Sequence, residues 1–273
     1  MQEELVSVIM PTFNAGKLLA DSIDSILNQT YKNLELLITD DHSTDESTLS
    51  TLRQYAAKEE RIDVLFLDVN KGPGYARDKS IERAKGRYIA FCDSDDRWFP
   101  EKLERQLAFM NEKQCILCYS SYILVDDEDK ERGIVIAPPT ITFKKLKRDN
   151  QIGCLTAIYD AKLLGRKYLM PFIRKRQDWG LFLTILRDSG QPAYALREPL
   201  AYYRMRSKSV SSNKFGLIKY NIRIYQIVLG YSKTKASLYF YFIFLPNHFV
   251  KVVKKKIDSY IFLLKKSCHR NAK

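Results

Sequence analysis

Four times within the first 115 residues a short apolar run gives way to a stretch with helical spacing. Leu5 to Met10 alternates weakly, is rich in β-branched residues and stops at Pro11-Thr12-Phe13-Asn14, which predicts a strand followed by a loop. From Lys17 to Asn28, Leu19, Ile23, Ile26 and Leu27 share one helical face, while Asp21, Asp24 and Asn28 stand off it. Leu34 to Thr39 predicts a buried strand that ends in Asp40-Asp41-His42-Ser43-Thr44-Asp45. Ser43, with Glu46 three residues on, fits a capping box for a helix through Leu49, Leu52 and Tyr55. A third strand, Val64 to Leu67, leads through Asn70-Lys71-Gly72-Pro73-Gly74-Tyr75-Ala76-Arg77 into a helix containing Ile81 and Ala84, which Gly86 ends. The fourth strand, Tyr88 to Cys92, precedes a helix that Pro100 opens, with Leu103, Leu107 and Met110 inward.

Strands and helices alternating at this pace predict an α/β fold, a mainly parallel sheet flanked by helices on both faces. Parallel connectivity gathers the carboxyl ends of the strands on one edge, where open α/β sheets bind ligands. Thr12 and Asn14, Asp40 and Asp41, and Asp93 and Asp95 all fall on that edge. The last group is the most demanding. Asp93, Asp95 and Asp96 crowd three carboxylates into four residues, and like charges repel unless a cation or hydrogen-bond donors compensate. Taken alone, Asp93-Ser94-Asp95-Asp96 has two readings: a solvated turn leading into the next helix, or a divalent-cation site, since Mg²⁺ and Mn²⁺ take carboxylates plus substrate phosphates. Gly72 and Gly74 do not form a dinucleotide loop, because the G-x-G-x-x-G spacing is missing and no such loop follows the first strand.

Composition narrows the class. A chain of 273 residues with 45% hydrophobic content can fold as one large domain or as a domain with an appendage. Five cysteines, at 92, 115, 118, 154 and 268, do not make a disulfide framework and fit a reduced, cytosolic setting. Cys115 and Cys118 have C-x-x-C spacing but sit in an apolar run, and read as packed core thiols rather than a redox or zinc site. The N-terminus shows neither a basic region nor a long apolar segment, so no secretory signal is expected. The net charge of +13 is concentrated at one end: from Tyr203 onward sixteen Lys or Arg face one acid, Asp258. That asymmetry predicts an anionic surface met by the C-terminal part and argues against a chain that coats nucleic acid.

In between, Asp126-Asp127-Glu128-Asp129 and Lys144 to Arg148 read as solvated charge runs, and Gly153 to Ala157 as a strand. Asp178 opens an amphipathic helix with Leu181, Phe182, Ile185 and Leu186 inward. Its residue type and place suit a first-turn carboxylate facing the helix dipole. Glu198 to Lys214 concentrates cations and hydroxyls in a loop.

In order and spacing, Pro11-Thr12-Phe13-Asn14, Asp40 to Asp45, Asn70-x-Gly72 with Ala76-Arg77, and Asp93-Ser94-Asp95-Asp96 resemble the nucleotide-sugar-binding half of family 2 glycosyltransferases, enzymes of the GT-A fold. The resemblance is close over about the first 110 residues and looser to about residue 213. It implies a glycosyltransferase domain over residues 1–213, with 1–113 holding the nucleotide sugar and 114–213 the acceptor, followed by a basic helical tail, 214–273. It further implies that Pro11, Thr12, Asn14 and Asp41 bind the donor, with Thr12 and Asp41 at its nucleoside and Asp41 accepting from the base. Arg77 would lie near the base and diphosphate, Asp93 at the ribose or a metal, Asp95 on the metal, and Arg206 over the diphosphate, where the family often has His. The implied cofactor is Mn²⁺ or Mg²⁺, the implied donor a UDP-sugar, and the implied acceptor a sugar or lipid-linked hydroxyl in surface polysaccharide or glycolipid synthesis. Asp178 matches the second member of the family's Glu-Asp or Gln-Asp pair, which implies a general base and inversion by direct displacement. Two positions depart from the pattern: His42 stands where Gly is usual, and Asp78-Lys79-Ser80 where Asn-x-Gly is usual.

The tail has its own pattern. Ile218, Ile222, Tyr225 and Leu229 keep helical spacing, as do Val253, Ile257, Tyr260 and Leu264, with Lys251, Lys254 to Lys256, Lys265 and Lys266 interleaved. Leu238 to Pro246 is apolar and aromatic but only about ten residues long, too short to span a bilayer. Helices of this kind read as peripheral attachment to the anionic, cytoplasmic face of a membrane. Packing on the core or on a second subunit is the alternative. Two other functions compete with sugar transfer. A sugar-nucleotide nucleotidyltransferase would need a Gly-rich triphosphate loop with a basic residue after the first strand, which Pro11 to Gly16 lacks. A non-catalytic nucleotide-binding or membrane-adaptor protein is favoured only by the departures at His42 and Ser80.

Overall fold

The computed structural model of the chain describes residues 4–206 and 214–271. The alternation expected from the apolar runs is present as β1 (Val6–Thr12), α1 (Leu18–Leu27), β2 (Leu34–Asp40), α2 (Glu46–Lys58), β3 (Ile62–Phe66), α3 (Pro73–Arg83) and β4 (Tyr88–Phe91). After the acidic stretch come β5 (Arg97–Trp98), α4 (Lys102–Lys113), β6 (Leu117–Val125), β7 (Glu131–Val135) and β8 (Thr140–Ile141). The core then closes with α5 (Phe143–Arg148), β9 (Ile158–Asp160), α6 (Gln177–Ser189) and β10 (Ala193–Arg204).

Among the described residues the strands make one sheet in the order β3-β2-β1-β4-β9-β6-β10-β5, with β7 on β6 and β8 on β10 outside that row. β3, β2, β1 and β4 are mutually parallel. β9 runs against both β4 and β6, and β10 is parallel to β6, so the long strands all point one way. Successive residues of β1 feed opposite faces, as the pleat requires. Val8 and Met10 join a cluster with Leu36, Ile38, Leu103 and Leu107, whereas Ile9 joins Leu37, Phe91 and the inward side of α6. Burial on both faces explains why these strands read as unbroken apolar runs. Cys92, Cys115 and Cys118 are buried free thiols within this core.

Three local expectations are corrected. Asp45, not Ser43, caps α2, its carboxylate accepting from Thr48 N at 2.8 Å. Ser43 is spent elsewhere, donating to Asp40 Oδ1 at 2.5 Å and accepting from Asn14 N at 2.9 Å. Gly86 does not end α3, which stops at Arg83 with an extended residue after it. Instead Gly86 lies against β1, where a Cβ would sit 2.7 Å from Leu5 O and Ser7 Oγ. Finally, the strand expected from Gly153 to Ala157 is a 3₁₀ turn over Cys154–Thr156, and β9 begins after it. A short apolar run cannot distinguish the two by periodicity.

The tail consists of α7 (Lys214–Leu229), α8 (Lys233–Tyr239), a π-helical turn at Phe240–Phe244, and α9 (Leu245–Asn271). Its inner face belongs to the core. Ile224, Tyr225, Phe240 and Phe244 are buried, and the Trp179 ring lies 5.6 Å from that of Tyr225 and 5.5 Å from that of Phe244. Pro246 cannot donate to the turn before it, and there the backbone widens so that Leu245 N–H reaches back to Phe240 O. The helix therefore runs on through Pro246. Residues 233–268 form a 36-residue stretch that is long and apolar enough, by length and composition, to cross a membrane. The segment that looks too short in the sequence lies in the first half of this longer helix. Its outer face exposes Phe242, Phe249, Val250 and Tyr260.

Candidate active site at the carboxyl edge of the sheet

A cleft opens where β1 and β4 part. They pair only as far as Ile9 and Phe91, the last link being Cys92 N–H to Ile9 O at 3.1 Å, while β1 continues beside β2 to Thr12 and Asp40. Pro11, two residues past Ile9, faces the side that β4 has left, so its missing N–H deprives no partner. Thr12 is buried, and its Oγ1 has no hydrogen-bond partner. A buried hydroxyl at a strand end without a partner is suited to a ligand.

Asp41 follows directly. Its Oδ1 accepts from Lys71 N and its Oδ2 from Gly72 N, both at 2.7 Å, and Asn70 Nδ2 donates to its carbonyl at 3.0 Å. Burial pushes the carboxyl above its usual pKa, and the two backbone donors hold it back. Asp41 therefore fastens the Asn70–Gly72 loop to the end of β2. His42 adopts φ 66°, the left-handed region in which glycine is at ease, so the departure there keeps the backbone shape at some cost. Asn14 bridges two loops, its Oδ1 accepting from Thr44 N at 2.8 Å and Asp45 N at 3.2 Å.

Gly74 sits in the first turn of α3 against the first turn of α6. A Cβ there would lie 2.6 Å from Gln177 Nε2, so any larger residue would displace the Gln177 side chain, and this glycine serves helix packing although no dinucleotide loop exists. Arg77, one turn on, is buried and donates to Asp93 Oδ1 at 2.5 Å, while its Nε has no partner. Burial opposes the charge of Arg77, and the negative field of Asp93, with a smaller contribution from Asp178, outweighs it and keeps the guanidinium protonated. Asp93 at the end of β4, Arg77 on α3 and Asp178 on α6 thus share one electrostatic neighbourhood. The second departure is structural: Asp78 Oδ1 accepts from Met170 N at 2.6 Å, and the Ser80 and Thr39 hydroxyls lie 2.7 Å apart.

The three acidic side chains divide their tasks. Asp96 is 1% exposed and accepts from Arg204 N at 3.0 Å, while burial and the charges of Asp95 and Asp93 push its carboxyl well above the usual range. It anchors β10 and does not serve the cleft. Asp95 is also shifted upward, first by burial and then by Asp93, with Arg206 opposing from 3.7 Å. Among the described residues no three His, Cys, Asp or Glu side chains converge as a ready metal cage. Asp95 and Asp93 remain as two hard oxygen donors crowded at a strand end, a set that fits Mg²⁺ or Mn²⁺ completed by phosphate and water.

The acidic loop is solvated as expected, with Asp127, Glu128 and Asp129 exposed, but it is also tied to the sheet. Arg204, buried on β10, donates to Asp95 O at 3.3 Å, Asp126 O at 3.0 Å and Asp129 Oδ1 at 2.7 Å. Nothing in the local sequence singled out Arg204; the unbalanced Asp126–Asp129 run was the one available signal. Asp178 begins α6 beside the buried Gln177, and its Oδ2 accepts from Asn150 Nδ2 at 3.0 Å. Arg206 reaches the same edge; of the basic segment expected as a loop, Glu198 to Arg204 belongs instead to β10, Lys214 begins α7, and 207–213 lies outside the described residues.

The model of the family described as Glycosyl transferase family 2 matches residues 7–171. The chain is 40% identical over 234 residues to the putative teichuronic acid biosynthesis glycosyltransferase TuaG of Bacillus subtilis (strain 168), covering 85% of this chain and 92% of that one. It is 35% identical over 260 residues to the UDP-Glc:alpha-D-GlcNAc-diphosphoundecaprenol beta-1,3-glucosyltransferase WfgD of Escherichia coli, covering 95% and 98%. S. aureus TarS 1–349 in complex with UDP-GlcNAc shares the fold, with a TM-score of 0.68 at 21% identity over 91% of this chain and 73% of that one. The matched region includes the diverging strands, the Arg77–Asp93 pair and the acidic stretch, and the chain belongs to glycosyl transferase family 2, as a glycosyltransferase with a GT-A-like fold.

Proposed function

We propose that the protein moves a sugar from a UDP-sugar to a hydroxyl of a lipid-linked acceptor, with inversion, in building a surface glycan. The observation that carries this reading is the gathering of Asp93 after β4, its partner Arg77 on α3 and Asp178 on α6 within one electrostatic neighbourhood, where α3 and α6 meet at Gly74 and Gln177. The relatives support the substrate classes: WfgD is named for a UDP-glucose donor and a diphosphoundecaprenol-linked acceptor, and TuaG for teichuronic acid.

Thr12 Oγ1 and the remaining lone pairs of Asp41 meet the nucleoside, and the unpartnered Nε of Arg77 together with Arg206 meets the diphosphate. Asp95 and Asp93 would hold a divalent cation, which when bound would supply positive charge to the diphosphate leaving group. Asp178 takes the proton of the acceptor hydroxyl as that oxygen attacks the anomeric carbon from the face opposite the diphosphate. One C–O bond forms as one breaks, the electron pair leaves on UDP, and the configuration inverts. The outer face of α9, apolar and flanked by lysines, rests on the anionic cytoplasmic face of a membrane and brings the cleft to its acceptor. Nucleotidyl transfer is disfavoured because the loop after β1 is not Gly-rich, holding only Gly16, and its backbone is tied down by Ser43 and Thr48.

The test is a panel of nucleotide sugars with a lipid-diphosphate-linked acceptor, reading nucleotide release in Mn²⁺, Mg²⁺ and EDTA. UDP-sugars should turn over, Asp95→Asn should lose the metal-dependent part of UDP binding, and Asp178→Asn should keep UDP binding and lose transfer. Turnover by Asp178→Asn at the original rate removes Asp178 as the base, and binding restricted to non-uridine nucleotides removes the donor assignment.

A further inference from the structure

We infer that Asn150 positions Asp178, and that the tail helix α9 in turn fixes Asn150, so that the basic tail is a working part of the transfer site and not only an attachment device. The inference rests on the reading of Asp178 as the base.

The connection runs unbroken through direct hydrogen bonds and ion pairs. Asn150 Nδ2 donates to Asp178 Oδ2 at 3.0 Å, and Asn150 Oδ1 accepts from Ile152 N at 3.2 Å, so both ends of the amide are used and its orientation is fixed. One carboxylate oxygen of Asp178 is thereby held, which leaves the other to meet an acceptor hydroxyl. The residue before it, Asp149, is 1% exposed and lies under the tail. Lys251 Nζ reaches Asp149 Oδ2 at 2.6 Å and also donates to Asn150 O at 2.7 Å, and His248 Nδ1 stands 3.3 Å from Asp149 Oδ2. Burial lowers the pKa of Lys251, and Asp149 works against that shift.

The same tail grips the residues on either side of Asp178. Arg176, which enters α6 at φ 70°, donates through Nε to Asn221 Oδ1 of α7 at 2.9 Å. Trp179 packs on Phe244, whose ring stacks on His248 at 5.2 Å. A carboxylate at the start of a helix has a rotatable side chain and a backbone free to fray. Here Arg176, Trp179 and Asn150 each close one of those freedoms, and each draws its own support from α7, the π turn or α9. A shift of about 1 Å in a reacting group can lower a rate about 100-fold, so this support bears on turnover.

Full-length variants separate positioning from mere packing. Asn150→Asp keeps an oxygen to accept from Ile152 N but cannot donate to Asp178. It should lower kcat about 10- to 100-fold while leaving the donor KM and UDP affinity unchanged, with Tm lowered by the like charge it sets beside Asp178. Lys251→Met should lower kcat, counted per UDP-binding site to correct for lost folding, and Lys251→Arg should restore most of it. Combined with Asn150→Asp, Lys251→Met should add little, because both act through one side chain. Wild-type kcat in Asn150→Asp, measured where Asp178→Asn is inactive, overturns the inference. An active Asp178→Asn instead overturns the base assignment on which it rests.

Discussion

The backbone N–H of Arg204 donates to Oδ1 of Asp96 at 3.0 Å, fastening the last strand of the sheet to an acidic stretch 108 residues earlier. The side chain of Arg204 adds a carbonyl of that stretch and two groups of the acidic loop, so the edge of the cleft is held from below by one buried cation. Arg204→Leu should destabilise the fold by about 2 kcal/mol, a discounted figure because its partner Asp129 is half-exposed. The urea midpoint reads this directly. UDP affinity should fall with it, and unchanged affinity in a destabilised variant would show that Asp95 holds its place without Arg204.

Gly74→Ala tests the contact between the two halves of the cleft. The new Cβ meets Gln177 Nε2 at 2.6 Å and Cδ at 2.9 Å, and the end of a flexible side chain has to move. Gln177 would lose its bond to Arg174 O and disturb Asp178 beside it. The expected cost in stability is about 1 kcal/mol, with kcat reduced by more than UDP affinity. Steady-state kinetics with UDP titration separates the two.

Lys102 predicts an unusual pH dependence of stability. It is fully buried over the Trp98 ring at 3.9 Å, its ammonium has no hydrogen-bond partner, and burial lowers its pKa to about 7. The folded pKa lies below the unfolded lysine value, so between about pH 7 and pH 10 the unfolded chain binds a proton that the folded chain does not. This group therefore makes stability rise with pH across that window, by at most about 1.4 kcal/mol per unit. Lys102→Met should be more stable than the parent at pH 7, with the advantage shrinking toward pH 9. Equal gains at both pH values would show that Lys102 is not neutralised on folding.

The tail reading is tested by substitution, because Tyr225, Phe240 and Phe244 belong to the core and a truncation would unfold it. Phe249→Asp and the pair Lys254→Glu, Lys256→Glu alter exposed positions of α9 only. The parent should co-sediment with vesicles containing anionic lipid and be released by salt, and both variants should stay in solution. Equal sedimentation of parent and variants removes the membrane reading.

Much of the fold was legible because burial on both faces writes strands as apolar runs and the helices between them keep one stripe. The cleft was legible for the same reason: Thr12, Asp41 and Asp93 lie at strand ends, and parallel connectivity brings such ends together. What stayed hidden depends on contacts between distant residues. Asp96 reads like Asp95 until Arg204 arrives across the sheet, and Ser43 reads as a cap until Asp40 and Asn14 claim its hydroxyl. Gly86 resembles a helix stop, yet its small size answers to β1. In the tail one apolar stripe serves equally for a core or a bilayer, and only packing assigns Phe244 to the first and leaves Phe249 outside.

The strand order also constrains how such an enzyme changes its substrates. β9 and β6 lie beside β4, and Leu155 and Ile158 share a cluster with Val8 and Met10, so early and late parts of the chain are interleaved in one sheet. A cut at residue 113 would strand two raw sheet edges and two half-filled cores. Recombination of whole halves between relatives is therefore closed to this architecture. Variation is left to the loops, on a scaffold that stays as it is.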